Sequence, residues 1–185
     1  MTTLDEMAGR VDRLGTITWS GSTFRHTAKR RDPLSGVGAR LAGGRWNPKG
    51  LFAALYLATP VRACMAELER AAASQGWTVP EMLAAGRTLH EIEVTDARLV
   101  DLRRPENLEA VGLAPADISD DDWAPCQLVG HAAWFLGFDG VIANSASGQG
   151  DVVTGFEARL GPGMISVTTS TDLNEALYRQ SSSAA

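Results

Sequence analysis

The segment that most constrains this chain is 32–50, DPLSGVGARLAGGRWNPKG. Asp32, Pro33, Gly36, Gly38, Gly43, Gly44, Pro48 and Gly50 interrupt any regular periodicity, so the segment predicts a long loop. Loops of this length inside a compact domain are usually functional or disordered. Arg40, Arg45, Trp46 and Asn47 are a poor composition for mere disorder. The loop runs straight into an apolar stretch, 51–58, and then a helix-forming one. Any fold for this chain must therefore hold an arginine-bearing, glycine-rich loop beside a buried strand.

The remaining elements follow from periodicity. Leu4, Met7, Val11 and Leu14 recur at helical spacing, and Gly15 stops the run. Residues 16–27 alternate, with Ile17 and Trp19 on one face, and predict one or two strands. After the buried strand, Thr59 reads as an N-cap and Pro60 as the first helical residue. That helix runs to about Ser74 and stops at Gly76; a short helix follows Pro80. Residues 88–94 alternate as a strand, and 99–102 predict a separate short one. A helix over 105–111, an acidic loop over 119–123 and a helix from Pro125 to Gly137 come next. Strands over 141–143, 152–156 and 164–167 surround a polar turn at 145–150. The tail predicts a helix over 173–178 and disorder over 181–185. With no internal repeat and no boundary, the chain reads as a single domain, 1–185, of mixed α/β (α+β) class.

Composition narrows the function classes. At 44% hydrophobic and 21% charged, the chain can bury an ordinary core. The N-terminus lacks a basic stretch followed by an apolar run, and no apolar run is long enough to span a bilayer. Cys64 and Cys126 sit in apolar helical stretches and read as buried thiols of a reducing compartment, so a cytoplasmic enzyme is expected. His26, His90 and His131 are scattered, with no metal-ligand spacing. A net charge of -5 argues against a nucleic-acid backbone as the main partner. The basic cluster Arg25, Lys29, Arg30 and Arg31 reads either as a solvated loop edge or as a rim attracting a small anion or an acidic partner segment.

Familiar nucleotide motifs fail. GVGARL has Leu41 where a dinucleotide fingerprint needs a third small residue, and neither a phosphate-cradling GxxxxGK[ST] loop nor a GxSxG elbow occurs. Three side chains remain: Arg45 in GGRWN, Tyr56 in the buried strand and Glu67 in the following helix. Gly43 and Gly44 would admit a ligand close to the backbone. Arg45 offers a planar fork for phosphate, Tyr56 a flat face, and Glu67 a charge for a developing cation. Taken singly, each reads more readily as a surface ion pair, a core ring or an exposed helix face. Residue chemistry alone supports a ligand-binding α/β domain.

The assembled pattern is more specific. FRHT, GxGARxxGGRWN, LYLA, ACMAELERA, DDWxxCQxxGHAAWFLG and GVIANSASG together resemble the RES domain, nearest to the mycobacterial RES-domain toxins, over a core of about 15–178. Arg45, Tyr56 and Glu67 stand eleven residues apart in turn. The resemblance implies a fold similar to ADP-ribosyltransferases, with small β-sheets around an NAD⁺ cleft and flanking helices. It implies cleavage of NAD⁺ at the nicotinamide–ribose bond, with phosphate or water as acceptor, or alternatively transfer of ADP-ribose to a protein. Arg45, Tyr56 and Glu67 then fall at catalytic positions. Arg25, Trp46, Asn47 and Ser145 fall at substrate-binding ones, with Ser147 an alternative for the family serine. NAD⁺ is a substrate, inorganic phosphate a co-substrate, and no metal or cofactor is implied. The partner implied is a small helical DNA-binding antitoxin that blocks the cleft in a hetero-oligomeric complex of a type II toxin–antitoxin system.

Overall fold

Thr3 starts the first helix. Its hydroxyl accepts from Glu6 N at 3.3 Å, while the Glu6 carboxylate accepts from Thr3 N at 2.8 Å. This reciprocal cap satisfies two orphan amides of α1 (Leu4–Leu14). Gly15, at φ 74°, ends it where the apolar run ends. The computed structural model describes residues 2–184.

β1 (Ile17–Ala28) leads into the glycine-rich segment, which contains one short helix, α2 (Val37–Ala42). β2 (Ala54–Thr59), α3 (Val61–Ser74) and α4 (Val79–Ala84) follow. β3 (Arg87–Leu102), α5 (Pro105–Ala110), a 3₁₀ turn (Pro115–Ile118) and α6 (Ala124–Phe135) come next. β4 (Gly140–Asn144), β5 (Asp151–Phe156), β6 (Ile165–Asp172) and α7 (Glu175–Ser182) complete the chain. Among the described residues, no helix is long and apolar enough to cross a membrane.

The strands run in the order β1-β2-β5-β4-β3-β6, and β1 also pairs with β3. Five strands therefore close into a ring, and β6 lies outside it along the first half of β3. The small sheets expected from the resemblance are two halves of this one sheet. The half made by β1, β3 and β6 joins the half made by β2, β5 and β4 through Phe24↔Ala58 and through the parallel pairing of β3 with β4. Leu55, Leu57, Ile92, Val94, Leu99, Ile142 and Val153 pack together as one cluster from four strands. One helical layer, with Met7, Val11, Leu108, Val129 and Ala133, covers Val100, Val141 and Phe156. Another, with Met65, Leu68 and Met82, covers Ala58 and Leu89.

Four local expectations change. The strands over 88–94 and 99–102 are one strand, because Asp96, at φ 50°, forms a bulge rather than a break. Ser20 Oγ accepts from Asp96 N at 2.8 Å and holds that bulge to β1. The segment 32–50 is not loop throughout: α2 forms inside it and ends at Gly43, φ 81°. Thr59 does not cap α3; it stays in the β2 ladder opposite Asp151, and Pro60 takes the N-cap position. The tail helix runs on to Ser182 and buries Ser181, because Leu177 and Tyr178 pack against the α3–α4 cluster.

Candidate active site

The GGRWN turn is fixed from three sides. Gly44 and Asn47 exchange backbone hydrogen bonds at 3.0 and 3.3 Å, and Gln127 Nε2 donates to the Gly44 carbonyl at 2.9 Å. A Cβ on Gly44 would fall 2.4 Å from the Tyr56 hydroxyl, so only glycine fits there. Tyr56, on β2, accepts from Trp46 N at 2.9 Å and donates to Asn47 Oδ1 at 2.8 Å. Asn47 Nδ2 reaches back to the Ala39 carbonyl of α2 at 2.9 Å. Burial pushes the Tyr56 phenol above its ordinary value, so it stays protonated and serves as a strut rather than a base.

The turn opens onto a cavity of about 530 Å³ between β1, β2, α3 and the segment before α6. Arg25, Arg45, Trp46, Tyr56 and Glu67 line it, five of the eight residues singled out above. Asn47, Ser145 and Ser147 do not. Asn47 is fully buried with both ends of its amide engaged, so it shapes the turn instead of facing a ligand. The serines stand behind Glu67: Ser145 Oγ donates to Glu67 Oε1 at 2.7 Å, and Ser147 Oγ lies 2.7 Å from Ser145 Oγ. Ser147 N also donates to Ser145 Oγ at 3.2 Å. Of the two serines, Ser145 is thus the one that touches Glu67, and Ser147 orients it. They meet in a tight turn after β4, not along an extended chain.

Both expected arginines already hold backbone. Arg45 Nη1 donates to the carbonyls of Asp117 and Asp120, each at 2.9 Å, and its guanidinium lies 5.8 Å from the centre of the Trp123 ring. Arg25 Nη1 and Nη2 donate to the carbonyls of Pro33 and Ser35 at 2.6 and 3.1 Å. Burial lowers the Arg25 pKa and the Asp32 charge opposes that shift; a guanidinium remains protonated regardless. Each arginine therefore anchors one loop that borders the cavity.

Arg70, Trp123 and His26 are among the lining residues that sequence reasoning did not assign to the site. Arg70 lies one turn beyond Glu67 on α3. That i, i+3 spacing was the available signal. Trp123 sits under Arg45, inside the quoted DDW motif. His26, next to Arg25, buries its Nδ1 with no hydrogen-bond partner among the described residues.

A family profile described as the RES domain matches residues 20–169. The chain belongs to the RES-domain family. Among its curated relatives are proteins named NAD(+) phosphorylase MbcT from Mycobacterium bovis and Mycobacterium tuberculosis. Each is 51% identical over 178 residues, covering 96% of both chains. The crystal structure of the M. tuberculosis MbcT–MbcA toxin–antitoxin complex contains a chain that superposes with a TM-score of 0.92. It is 50% identical and covers 98% of this chain and 100% of its own.

Proposed function

We propose that this RES-domain chain is the toxin of a toxin–antitoxin pair and destroys NAD⁺ by phosphorolysis of the nicotinamide–ribose bond. The observation that carries the reading is Glu67, held by Ser145 at the wall of a cavity that also presents Arg25 and Arg45. The near full-length likeness to proteins named NAD(+) phosphorylase supports the choice of substrate and acceptor.

The chemistry asks little of an acid. Nicotinamide leaves as a neutral ring, because the breaking C1″–N bond returns its electron pair to the pyridinium nitrogen. Positive charge then develops on the ribose, as in glycoside cleavage. Glu67 stabilises that charge and accepts from the ribose hydroxyls. The remaining N–H groups of Arg45 and Arg25 hold the pyrophosphate, and Trp46 and Tyr56 wall the dinucleotide from water. An oxygen of hydrogen phosphate forms the new C1″–O bond, giving ADP-ribose-1″-phosphate, with no net proton change in the transfer itself. The reaction needs no metal or further cofactor. The proposal places the protein in the cytoplasm, where NAD⁺ is the target, and assigns it a helical DNA-binding antitoxin that covers the cavity.

The test is purified protein incubated with NAD⁺, with and without inorganic phosphate, and products identified by mass. Nicotinamide with ADP-ribose-1″-phosphate only when phosphate is present is the expected result. Free ADP-ribose as the sole product would make the chain a glycohydrolase. Intact NAD⁺ that is consumed only after cell extract is added would replace the reading with protein ADP-ribosylation.

A further inference from the structure

Three arginines line the cavity, and they differ in how much of each is already engaged. Arg25 uses both terminal nitrogens on carbonyls, and Arg45 uses one on two carbonyls while lying over Trp123. Arg70 makes a single long contact, Nη1 to the Ala146 carbonyl at 3.4 Å, and its side chain is exposed. Among the described residues it has no carboxylate within ion-pair distance. Its position is also particular. Glu67 and Arg70 are neighbours on one face of α3, and both reach the same turn, Glu67 through Ser145 and Arg70 through Ala146.

We propose that Arg70 binds the inorganic phosphate that attacks the ribose. This rests on the phosphorolysis reading above and adds the co-substrate's site to it. A carboxylate that stabilises the ribosyl cation also repels an incoming phosphate dianion. A cation one helical turn away, free to give a planar pair of N–H donors, offsets that repulsion and aligns the attacking oxygen. Water needs no such cation, so Arg70 is the residue that makes phosphate rather than water the acceptor.

The experiment varies NAD⁺ and phosphate independently in the wild type and in Arg70→Ala, Arg70→Lys and Arg62→Ala. Arg62 is on the same helix but outside the cavity lining, and controls for loss of positive charge alone. Loss of a charged hydrogen-bonding partner should raise the KM for phosphate about 10- to 100-fold in Arg70→Ala. The KM for NAD⁺ should stay within about twofold, since the pyrophosphate is held elsewhere. Arg70→Lys should fall between, and Arg62→Ala should match the wild type. An unchanged phosphate KM in Arg70→Ala, an equal rise in the KM for NAD⁺, or the same effect from Arg62→Ala would overturn the proposal. Broadening of the phosphorus NMR line of inorganic phosphate reads binding without turnover. If the wild type leaves NAD⁺ intact yet broadens that line and Arg70→Ala does not, the anion site stands and the enzymatic reading falls. If the wild type does not broaden it, the site falls.

Discussion

Glu67 is held by a neutral donor, the Ser145 hydroxyl, rather than by a cation. In the proposed reaction, no ion pair among the described residues then competes with the ribose for this carboxylate. Glu67→Gln should lower the rate of nicotinamide release about 10²- to 10³-fold, with an unchanged circular dichroism spectrum. A folded variant that releases nicotinamide at the wild-type rate would remove Glu67 from the mechanism. Tyr56 acts on stability first. Tyr56→Phe strips the partner from Trp46 N and from the fully buried Asn47 Oδ1, and should cost roughly 2–3 kcal/mol in urea unfolding. His26 gives a pH dependence. Burial, reinforced by the charges of Arg87 and Arg25, lowers its pKa from 6.5 to about 4. The unfolded chain then binds a proton that the folded chain refuses, so the contribution is full above about pH 6.5 and is lost as pH falls toward 4. The loss amounts to roughly 3 kcal/mol, and His26→Phe should flatten that part of a stability-versus-pH curve. The resemblance pointed to Arg45, Tyr56 and Glu67, and the fold brings all three to one cavity. Which atoms were free was not legible, because Arg45 answers to carbonyls 72 and 75 residues away.

Elements were most legible where their ends carry their own chemistry. Gly15, Gly76 and Gly137, at φ 74°, 69° and 79°, follow α1, α3 and α6 as expected. They were least legible where a distant partner decides. The bulge that keeps β3 continuous depends on Ser20, and the tail helix runs past Tyr178 to Ser182 where Leu177 and Tyr178 pack on the α3–α4 cluster, neither of which local pattern reports. Gly130 shows the same dependence in α6. In an isolated helix, alanine there would be favoured by about 1 kcal/mol. Here a Cβ would lie 1.9 Å from the Trp46 carbonyl oxygen, and that oxygen belongs to backbone that Tyr56 already pins. Gly130→Ala should therefore destabilise by at least about 2 kcal/mol and displace the turn that carries Arg45. Paired urea unfolding and NAD⁺ turnover check this, and a stabilised, fully active variant would show that α6 can withdraw from the turn.

At the scale of the molecule, a closed ring of strands leaves the cavity bordered by rigid sheet on one side and by chain segments on the other. Those segments present unusual surface. Val37 and Leu41 on α2 are 51% and 68% exposed, and Trp123 is 39% exposed while lining the cavity. Ala39 of the same helix lines the cavity, so α2 borders it, and exposed apolar side chains on such bordering segments fit a partner surface better than solvent. A cavity of about 530 Å³ must also be filled largely by the dinucleotide itself, so an antitoxin seated on this rim and NAD⁺ should exclude each other. Titrating the cognate antitoxin into the NAD⁺ assay should raise the apparent KM for NAD⁺ in proportion to free antitoxin and leave kcat unchanged. Leu41→Asp, which alters the exposed face of α2 without lining the cavity, should weaken that inhibition about tenfold or more while turnover without antitoxin stays at the wild-type level. Inhibition that lowers kcat at constant KM would instead place the antitoxin away from the opening. Its effect on the site would then have to pass through the loops that Arg25 and Arg45 anchor.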